Sequence, residues 1–263
     1  MTGTVSALSI AFMAISCVIG FAIPIVLLIY FRKKKGADIL PFFIGCAVML
    51  VFALLLESAV HRLVLFSDIG KTIQNNIWLY ALYGGLMAGI FEETGRFLAF
   101  KTVLRKKQGK DINALMYGAG HGGFEAAALL GITMINNIIY SVMVNSGNTA
   151  ALTGTLSGDV LAQVEASIQA LITTPSYQFL LGGVERILAV ILQLFLSVLV
   201  WFAVKKKGKG YLYPLAILIH FLVDALTVVL SGLGVNMIMI EIVIGILSVL
   251  TAFFAKKVWR YQS

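Results

Sequence analysis

Residues 77–104 read IWLYALYGGLMAGIFEETGRFLAFKTVL, an apolar run that nevertheless contains Glu92, Glu93 and Arg96. At about 1.5 Å per residue, such a run is long enough as a helix to cross the roughly 30 Å hydrocarbon core of a bilayer. Ionisable side chains in that environment cost roughly 2.5–3.5 kcal/mol each. We therefore expect the chain to use these three groups.

The whole composition is that of a membrane protein. The 263 residues are 60% hydrophobic and 12% charged, whereas a soluble domain carries about 25% charged residues. The sequence predicts an all-α fold, a polytopic membrane helix bundle that forms a single integral-membrane domain over residues 1–263.

Hydrophobic runs and basic residues together predict the topology. Seven spans are expected, at about 4–31, 39–66, 77–104, 112–144, 177–204, 211–231 and 234–256. Blocks of Lys and Arg follow the first, third, fifth and seventh spans, which predicts an outside N-terminus and a cytoplasmic C-terminus. These blocks account for the net charge of +8, so we expect contacts with anionic lipids and no nucleic-acid partner.

The segment 145–176 is predicted to be an external loop that contains an amphipathic interfacial helix. Leu161, Val164, Ile168 and Leu171 recur at helical spacing between polar residues, as in helices that lie on a membrane surface. A passive connector is favoured over a lid or a substrate-docking element.

Three polar positions are expected at one depth of the membrane. Glu92, His121 and His220 each lie 10 to 13 residues from the charged residue near the end of their segment, which corresponds to roughly 15–20 Å along a helix. A buried carboxylate between imidazoles can hold and deprotonate a water molecule. Carboxylates and imidazoles are also zinc ligands, although the HExxH signature is absent.

Three short motifs carry a family resemblance. They are Glu92–Arg96 (EETGR), Tyr117–His121 (YGAGH) and His220–Asp224 (HFLVD). In this order they resemble the EExxR, aromatic-xxx-His and HxxxN/D motifs of the CAAX-prenyl-protease-like intramembrane proteases, and most of all the bacterial YhfC-type membrane peptidases. The resemblance covers a protease-like core at 77–231. Tyr117 replaces the usual Phe, and Asp224 stands where many relatives carry Asn.

The resemblance implies catalytic roles for the acidic and basic groups of the first motif. Glu92 would be the general base on water, with Glu93 as its helper or substitute. Arg96 would hold the carboxylate and keep it charged.

The resemblance also implies roles for the other two motifs. His121 and His220 would orient the water, donate a proton or bind the oxyanion, and Asp224 would orient His220 or complete a metal site. Tyr117 and Glu125 would support these groups from behind, with Glu125 evenly balanced between that role and a purely structural one. A zinc ion, if the enzyme uses one, would be held by Glu92, His121, His220 and Asp224.

A further set of charged residues lies outside the motifs. It comprises Glu57, His61, Arg62, Glu185 and Arg186. A structural ion-pair network is favoured for this set, with a second site or a proton path as the alternative.

The predicted function is intramembrane endopeptidase activity in a multi-pass protein of the bacterial cell membrane. Its substrate would be a membrane protein or a lipidated peptide, cut by water that a buried glutamate and two histidines activate, with or without a metal. The alternatives are a proton- or ion-coupled transporter that uses the same buried charges and a non-catalytic membrane partner. The sequence indicates no oligomeric state.

Overall fold

The described residues are helical almost throughout. In a computed structural model that describes residues 3–262, no strand occurs within that range. The helices are α1 (Ala7–Lys35), α2 (Leu40–Leu65), α3 (Asp68–Gln74), α4 (Ile77–Lys101), α5 (Ile112–Asn145), α6 (Ala150–Thr153), α7 (Gly158–Thr173), α8 (Ser176–Lys205), α9 (Leu212–Gly232) and α10 (Met237–Gln262). The predicted all-α membrane bundle is confirmed.

Six helices are long and apolar enough to cross a membrane, counted over the described residues: α1, α2, α5, α8, α9 and α10. The remaining predicted span corresponds to α4, which has 25 residues but carries Glu92, Glu93, Arg96 and Lys101 among its apolar side chains. The crossing of the membrane by α4, and the sides on which the termini lie, stay predictions.

Two of the long helices contain π-helical stretches. Met49–Glu57 in α2 and Ala126–Ile132 in α5 have this wider winding. Such stretches are rare in proteins, and many of those that occur lie near functional sites. Glu57 ends the first stretch, and Glu125 directly precedes the second. Both acidic side chains therefore stand where a helix changes its winding.

The chain folds into two compact units. One contains residues up to 22 and 126–186, and the other contains 23–125 and 187 to the end of the described chain. The first unit has its own apolar core, which includes Met13, Met134 and Ile168. The larger core of the second unit includes Phe100 and Trp201, whose rings meet edge to face with centroids 5.0 Å apart. The prediction of a single domain with a protease-like core at 77–231 stays a prediction.

The segment after α5 is partly helical. It contains α6 and α7, and α7 buries Ile168 and Leu171, two of the four apolar residues in the predicted stripe. The helix ends at Thr173, and the extended Thr174 and then Pro175 follow it. The external and interfacial position of this segment stays a prediction.

Glycines bring α4 and α9 close together. A Cβ atom on Gly85 would lie 2.8 Å from the carbonyl oxygen of Phe221, and one on Gly89 would lie 2.9 Å from that of Ile217. This spacing of four is the small-xxx-small pattern that lets membrane helices approach closely. The approach places His220, on α9, beside the carboxylates of α4.

The glycine-rich start of α5 serves packing in a similar way. A Cβ atom on Gly120 would lie 1.9 Å from the carbonyl oxygen of Phe42 in α2, and one on Gly118 would lie 2.8 Å from the Cα of Leu194 in α8. Backbones therefore touch where ordinary side chains would keep helices apart. This contact holds His121, the residue after Gly120, at a fixed place in the bundle.

Polar contacts of Asp38 with residues at the start of α5 fix the loop between α1 and α2. The Asp38 backbone N–H donates to Asn113 Oδ1 (2.9 Å), and Lys110 Nζ lies 3.1 Å from Asp38 Oδ1. The Lys110 hydrogen bond is the largest cause of the lowered pKa of the Asp38 carboxyl. A carboxyl with a lowered pKa stabilises the fold above its unfolded pKa, and this contribution disappears as the pH falls through the folded value.

The helix contact at Gly120 can be tested with one added methyl group. We expect Gly120→Ala to lower the stability by about 2–3 kcal/mol, because the new Cβ forces α5 away from the Phe42 carbonyl. Thermal unfolding of the purified protein in detergent measures the effect. Gly84→Ala is the matched control, since no atom lies within 4 Å of a Cβ built there. Equal melting temperatures for the two variants would show that this contact does not hold the helices together.

Candidate active site

Three helices of the second compact unit supply the side chains that the sequence predicts. Glu92, Glu93 and Arg96 lie on α4, His121 and Glu125 on α5, and His220 and Asp224 on α9. All of them except Asp224 are buried. The structure thus brings the three motifs to one place inside the bundle.

One oxygen of Glu92 is the meeting point of both histidines. Glu92 Oε2 lies 2.9 Å from His121 Nε2 and 3.9 Å from His220 Nε2. The Glu92 side chain is 8% exposed and that of His121 is not exposed at all. Two imidazole nitrogens are therefore directed at a single buried carboxylate oxygen.

The neighbouring carboxylate, Glu93, has different hydrogen-bond partners. Both oxygens of Glu93 accept hydrogen bonds from the Arg96 guanidinium, with all side-chain atoms of the pair inaccessible to solvent. Glu93 Oε1 also lies 2.9 Å from His220 Nδ1. This contact selects the ring orientation in which His220 Nδ1–H donates to Glu93, so that Nε2 is left to face Glu92 and Asp224.

Gln193 on α8 joins these groups, and the sequence analysis missed it. Its Nε2 donates to Glu92 Oε2 (2.8 Å) and to Glu125 Oε2 (3.1 Å), while its Oε1 accepts from Arg96. The Arg96 contact fixes which end of the amide faces the carboxylates. The available signal was weak: Gln193 is an isolated amide in an apolar run.

His121 is held by its surroundings on two sides. Its ring stacks on that of Tyr117, one turn earlier on α5, with centroids 5.9 Å apart and planes 26° apart. Its Nδ1 is buried and has no hydrogen-bond partner among the described residues. The tautomer with its proton on Nε2, which donates to Glu92, fits this geometry. Nδ1 is then unprotonated, so no buried N–H donor is left without an acceptor.

Asp224 marks the accessible side of the cluster. Its Oδ2 lies 3.5 Å from His220 Nε2, and its side chain is 38% exposed, compared with 4% for His220. The polar cluster therefore opens on the side of α9 that carries Asp224.

The carboxyl groups of the cluster are suited to binding a cation. Glu92, Glu93, Glu125 and Asp224 supply four carboxyl groups, and the Arg96 guanidinium binds Glu93 among them. Protons on the imidazoles or a bound metal ion would place further positive charge beside these groups.

The donor set suits zinc in chemistry, although its present arrangement is not that of a preformed metal site. Ligands about 2.1 Å from a tetrahedral ion lie about 3.4 Å from one another. The separations of 2.9, 3.5 and 3.9 Å around Glu92 Oε2 and His220 Nε2 bracket this value. Within residues 3–262, however, no three His, Cys, Asp or Glu side chains are already grouped as ligands. His220 has the carboxylate at its other nitrogen that metal-binding histidines usually have, whereas His121 lacks one.

The other predicted charged residues form local contacts. His61 Nε2 lies 3.2 Å from Glu57 Oε1, and His61 Nδ1 lies 2.9 Å from the Tyr83 hydroxyl. Arg62 is exposed. Glu185 pairs with the adjacent Arg186. The structural role of this set stays a prediction.

Comparisons with known proteins agree with the motifs. The model of a family described as YhfC intramembrane metalloprotease matches residues 19–244, a range that includes every residue of the site. The uncharacterized membrane protein YhfC of Bacillus subtilis is 38% identical over 259 residues, which are 97% of this chain and 98% of that protein. No solved structure matches the chain. With its six candidate spans, the chain is a multi-pass bacterial membrane protein.

The network around Gln193 predicts a large effect for a substitution of similar size. We expect Gln193→Leu to lower the stability by about 3 kcal/mol, because Arg96, Glu92 and Glu125 each lose a buried hydrogen bond. Thermal unfolding in detergent measures the loss. Ser197→Ala, one turn along α8, is the control. The Ser197 hydroxyl donates to the Gln193 carbonyl of its own helix, and its removal should cost less than about 1 kcal/mol. A Gln193→Leu protein as stable as the wild type would exclude a structural role for the amide network.

Proposed function

Because this chain belongs to the YhfC intramembrane metalloprotease family, we propose that it is an endopeptidase that hydrolyses peptide bonds of membrane-associated substrates at the cluster around Glu92. One observation carries this proposal: a buried carboxylate oxygen faces the Nε2 atoms of two histidines, at 2.9 and 3.9 Å. Carboxylate and imidazole are the groups that activate water and stabilise an oxyanion in peptide hydrolysis.

Glu92 is the general base in this proposal. It removes a proton from water, the resulting hydroxide attacks the peptide carbonyl carbon, and Glu92 then gives the proton to the leaving amine nitrogen as the C–N bond breaks. The products are a carboxylic acid and an amine, and Glu92 returns to its starting state. Glu93 is a poor candidate for this role, because Arg96 and His220 already occupy both its oxygens.

The histidines act on the substrate carbonyl. His121 presents Nε2–H from a ring that Tyr117 fixes by stacking. His220 presents Nε2 from a ring that Glu93 fixes through Nδ1. Groups held in this way stabilise negative charge on the carbonyl oxygen without having to reorient during the reaction.

The remaining polar groups position the reacting ones. Arg96 holds Glu93, which in turn orients His220, and Gln193 donates to the oxygen of Glu92 that faces the histidines. These residues act through Glu92 and His220 and need not touch the substrate. They differ in this respect from the role that the family resemblance gives to Arg96, which is to hold the catalytic carboxylate directly.

A zinc ion is the metal that the donor set favours. Glu92, His121, His220 and Asp224 would hold it, and when bound it would lower the pKa of a coordinated water and polarise the substrate carbonyl. The chain would then supply nitrogen and oxygen ligands and the buried hydrogen bonds that orient them.

The substrate class follows from the position of the site. Since Asp224 is the accessible member of a cluster that lies among apolar helices, a peptide would reach it along α9. We therefore propose membrane proteins or lipidated peptides as substrates, because such chains are already present at that surface.

A single isosteric change tests the catalytic role of Glu92. We expect Glu92→Gln to reduce cleavage at least about 100-fold, because the amide cannot accept a proton from water. Membrane-peptide products are compared by mass spectrometry in cells that make wild-type or variant protein at equal levels. Products present in the wild type and absent from the variant would identify both the activity and its substrates.

Glu165→Gln is the matched control for this experiment, since it makes the same chemical change. Glu165 is an exposed glutamate of the first compact unit, whereas the cluster around Glu92 belongs to the second unit, so its variant should cleave normally. Product sets that do not differ between the wild type and Glu92→Gln would contradict the protease proposal and favour a transporter.

Metal content provides a separate prediction. We expect purified wild-type protein to contain about one zinc per chain, and His220→Ala to weaken zinc binding at least 10-fold, as loss of a ligand requires. Elemental analysis and competition with a chelator measure both quantities, and Glu165→Gln should retain the metal. Full activity after complete removal of the metal would assign water activation to Glu92 and the histidines alone.

A further inference from the structure

An apolar groove runs between α9 and α10 on the second compact unit. Its volume is about 300 Å³, and its walls include Leu215, Ile219, Leu222 and Val223 from α9 and Leu250 and Phe254 from α10. The only polar side chain in its lining is Thr251, whose hydroxyl already donates to the Leu247 carbonyl. The groove therefore offers nothing but apolar contact to an occupant.

A basic cavity adjoins one end of this groove. It has a volume of about 210 Å³, and Lys209, Lys257 and Tyr211 are among its lining residues. Phe254 lines both cavities, which makes them neighbours along α10. The Lys209 ammonium lies 5.9 Å from the centroid of the Tyr211 ring, so a cation and an aromatic ring are neighbours in the lining of this cavity.

We propose that these two cavities form one binding site for an anionic phospholipid. The phosphate-containing headgroup would lie at Lys209 and Lys257, and one acyl chain would extend along the groove beside Leu222 and Leu250. Apolar walls that end at a pair of lysines match both parts of such a lipid. Basic pockets between membrane helices bind anionic headgroups in the same manner.

The lysines at the end of the groove decide between its possible occupants. An acyl chain would lie in the apolar slot between the two helices, with its headgroup at Lys209 and Lys257. An uncharged apolar occupant would offer no anionic group to Lys209 and Lys257. The lysines therefore favour a lipid with a negative headgroup.

The proposed lipid site and the candidate active site share helix α9, where their residues are adjacent in sequence. Ile219 and Val223, on the groove wall, directly precede His220 and Asp224. A lipid in the groove would thus rest against the helix that carries two of the proposed catalytic residues. The binding itself does not depend on the protease proposal.

Lipid selectivity tests this inference on the intact protein. The protein is placed in phosphatidylcholine nanodiscs, and the immobilised fraction of nitroxide-labelled phosphatidylglycerol is compared with that of labelled phosphatidylcholine by electron paramagnetic resonance. We expect the wild type to prefer phosphatidylglycerol roughly fivefold or more. Lys209→Gln/Lys257→Gln should remove the preference, and Leu250→Trp, which fills the groove, should reduce the number of immobilised lipids.

Lys33→Gln/Lys34→Gln is the matched control, since it removes the same charge from another basic block at the end of α1. This variant should keep the wild-type preference. The proposal would be overturned by a wild type without selectivity, or by an equal loss of selectivity in both double variants, which would indicate only general attraction to basic charge.

Discussion

The buried ion pair between Glu93 and Arg96 is the interaction on which the rest of the site depends. Neither side chain is exposed, and an ion pair in apolar surroundings is stable only when further hydrogen bonds satisfy both partners. Gln193 and His220 provide those bonds from two other helices. The ion pair therefore requires α4, α8 and α9 to meet at one level, and their meeting sets the orientation of the His220 ring and, through Gln193, the position of Glu92.

Such a meeting is possible because backbones approach each other closely around the cluster. Short polar side chains can reach across a helix interface only when the helices are not separated by bulky residues. Gly85 and Gly89 allow this between α4 and α9, and Gly118 and Gly120 allow it between α5 and its neighbours. The glycines and the charged residues thus depend on each other. The glycines make the distances between helix backbones short enough for the charged side chains to contact one another.

Much of this could be predicted from the sequence, since hydropathy reports burial in a membrane and a spacing of four reports a shared helix face. The apolar runs predicted the helices, and the motifs predicted Glu92, His121 and His220 as neighbours. The partners within the cluster could not be predicted in this way. Gln193 carries no charge and belongs to no motif, and its contacts depend on how α8 is turned toward α4. The π-helical stretches could not be predicted from the sequence either, because they arise from packing between helices.

The different surroundings of Glu92 and Glu93 could not be predicted from the sequence. Adjacent residues on a helix point about 100° apart, so the two carboxylates must face different neighbours, but the motif does not say which. The fold separates them: Glu93 faces Arg96, three residues later on its own helix, and is bound on both oxygens, while Glu92 faces the histidines. The Glu93 side chain is also inaccessible to solvent, whereas that of Glu92 is 8% exposed. These differences in contacts and exposure support the proposal that Glu92, and not Glu93, exchanges a proton with water.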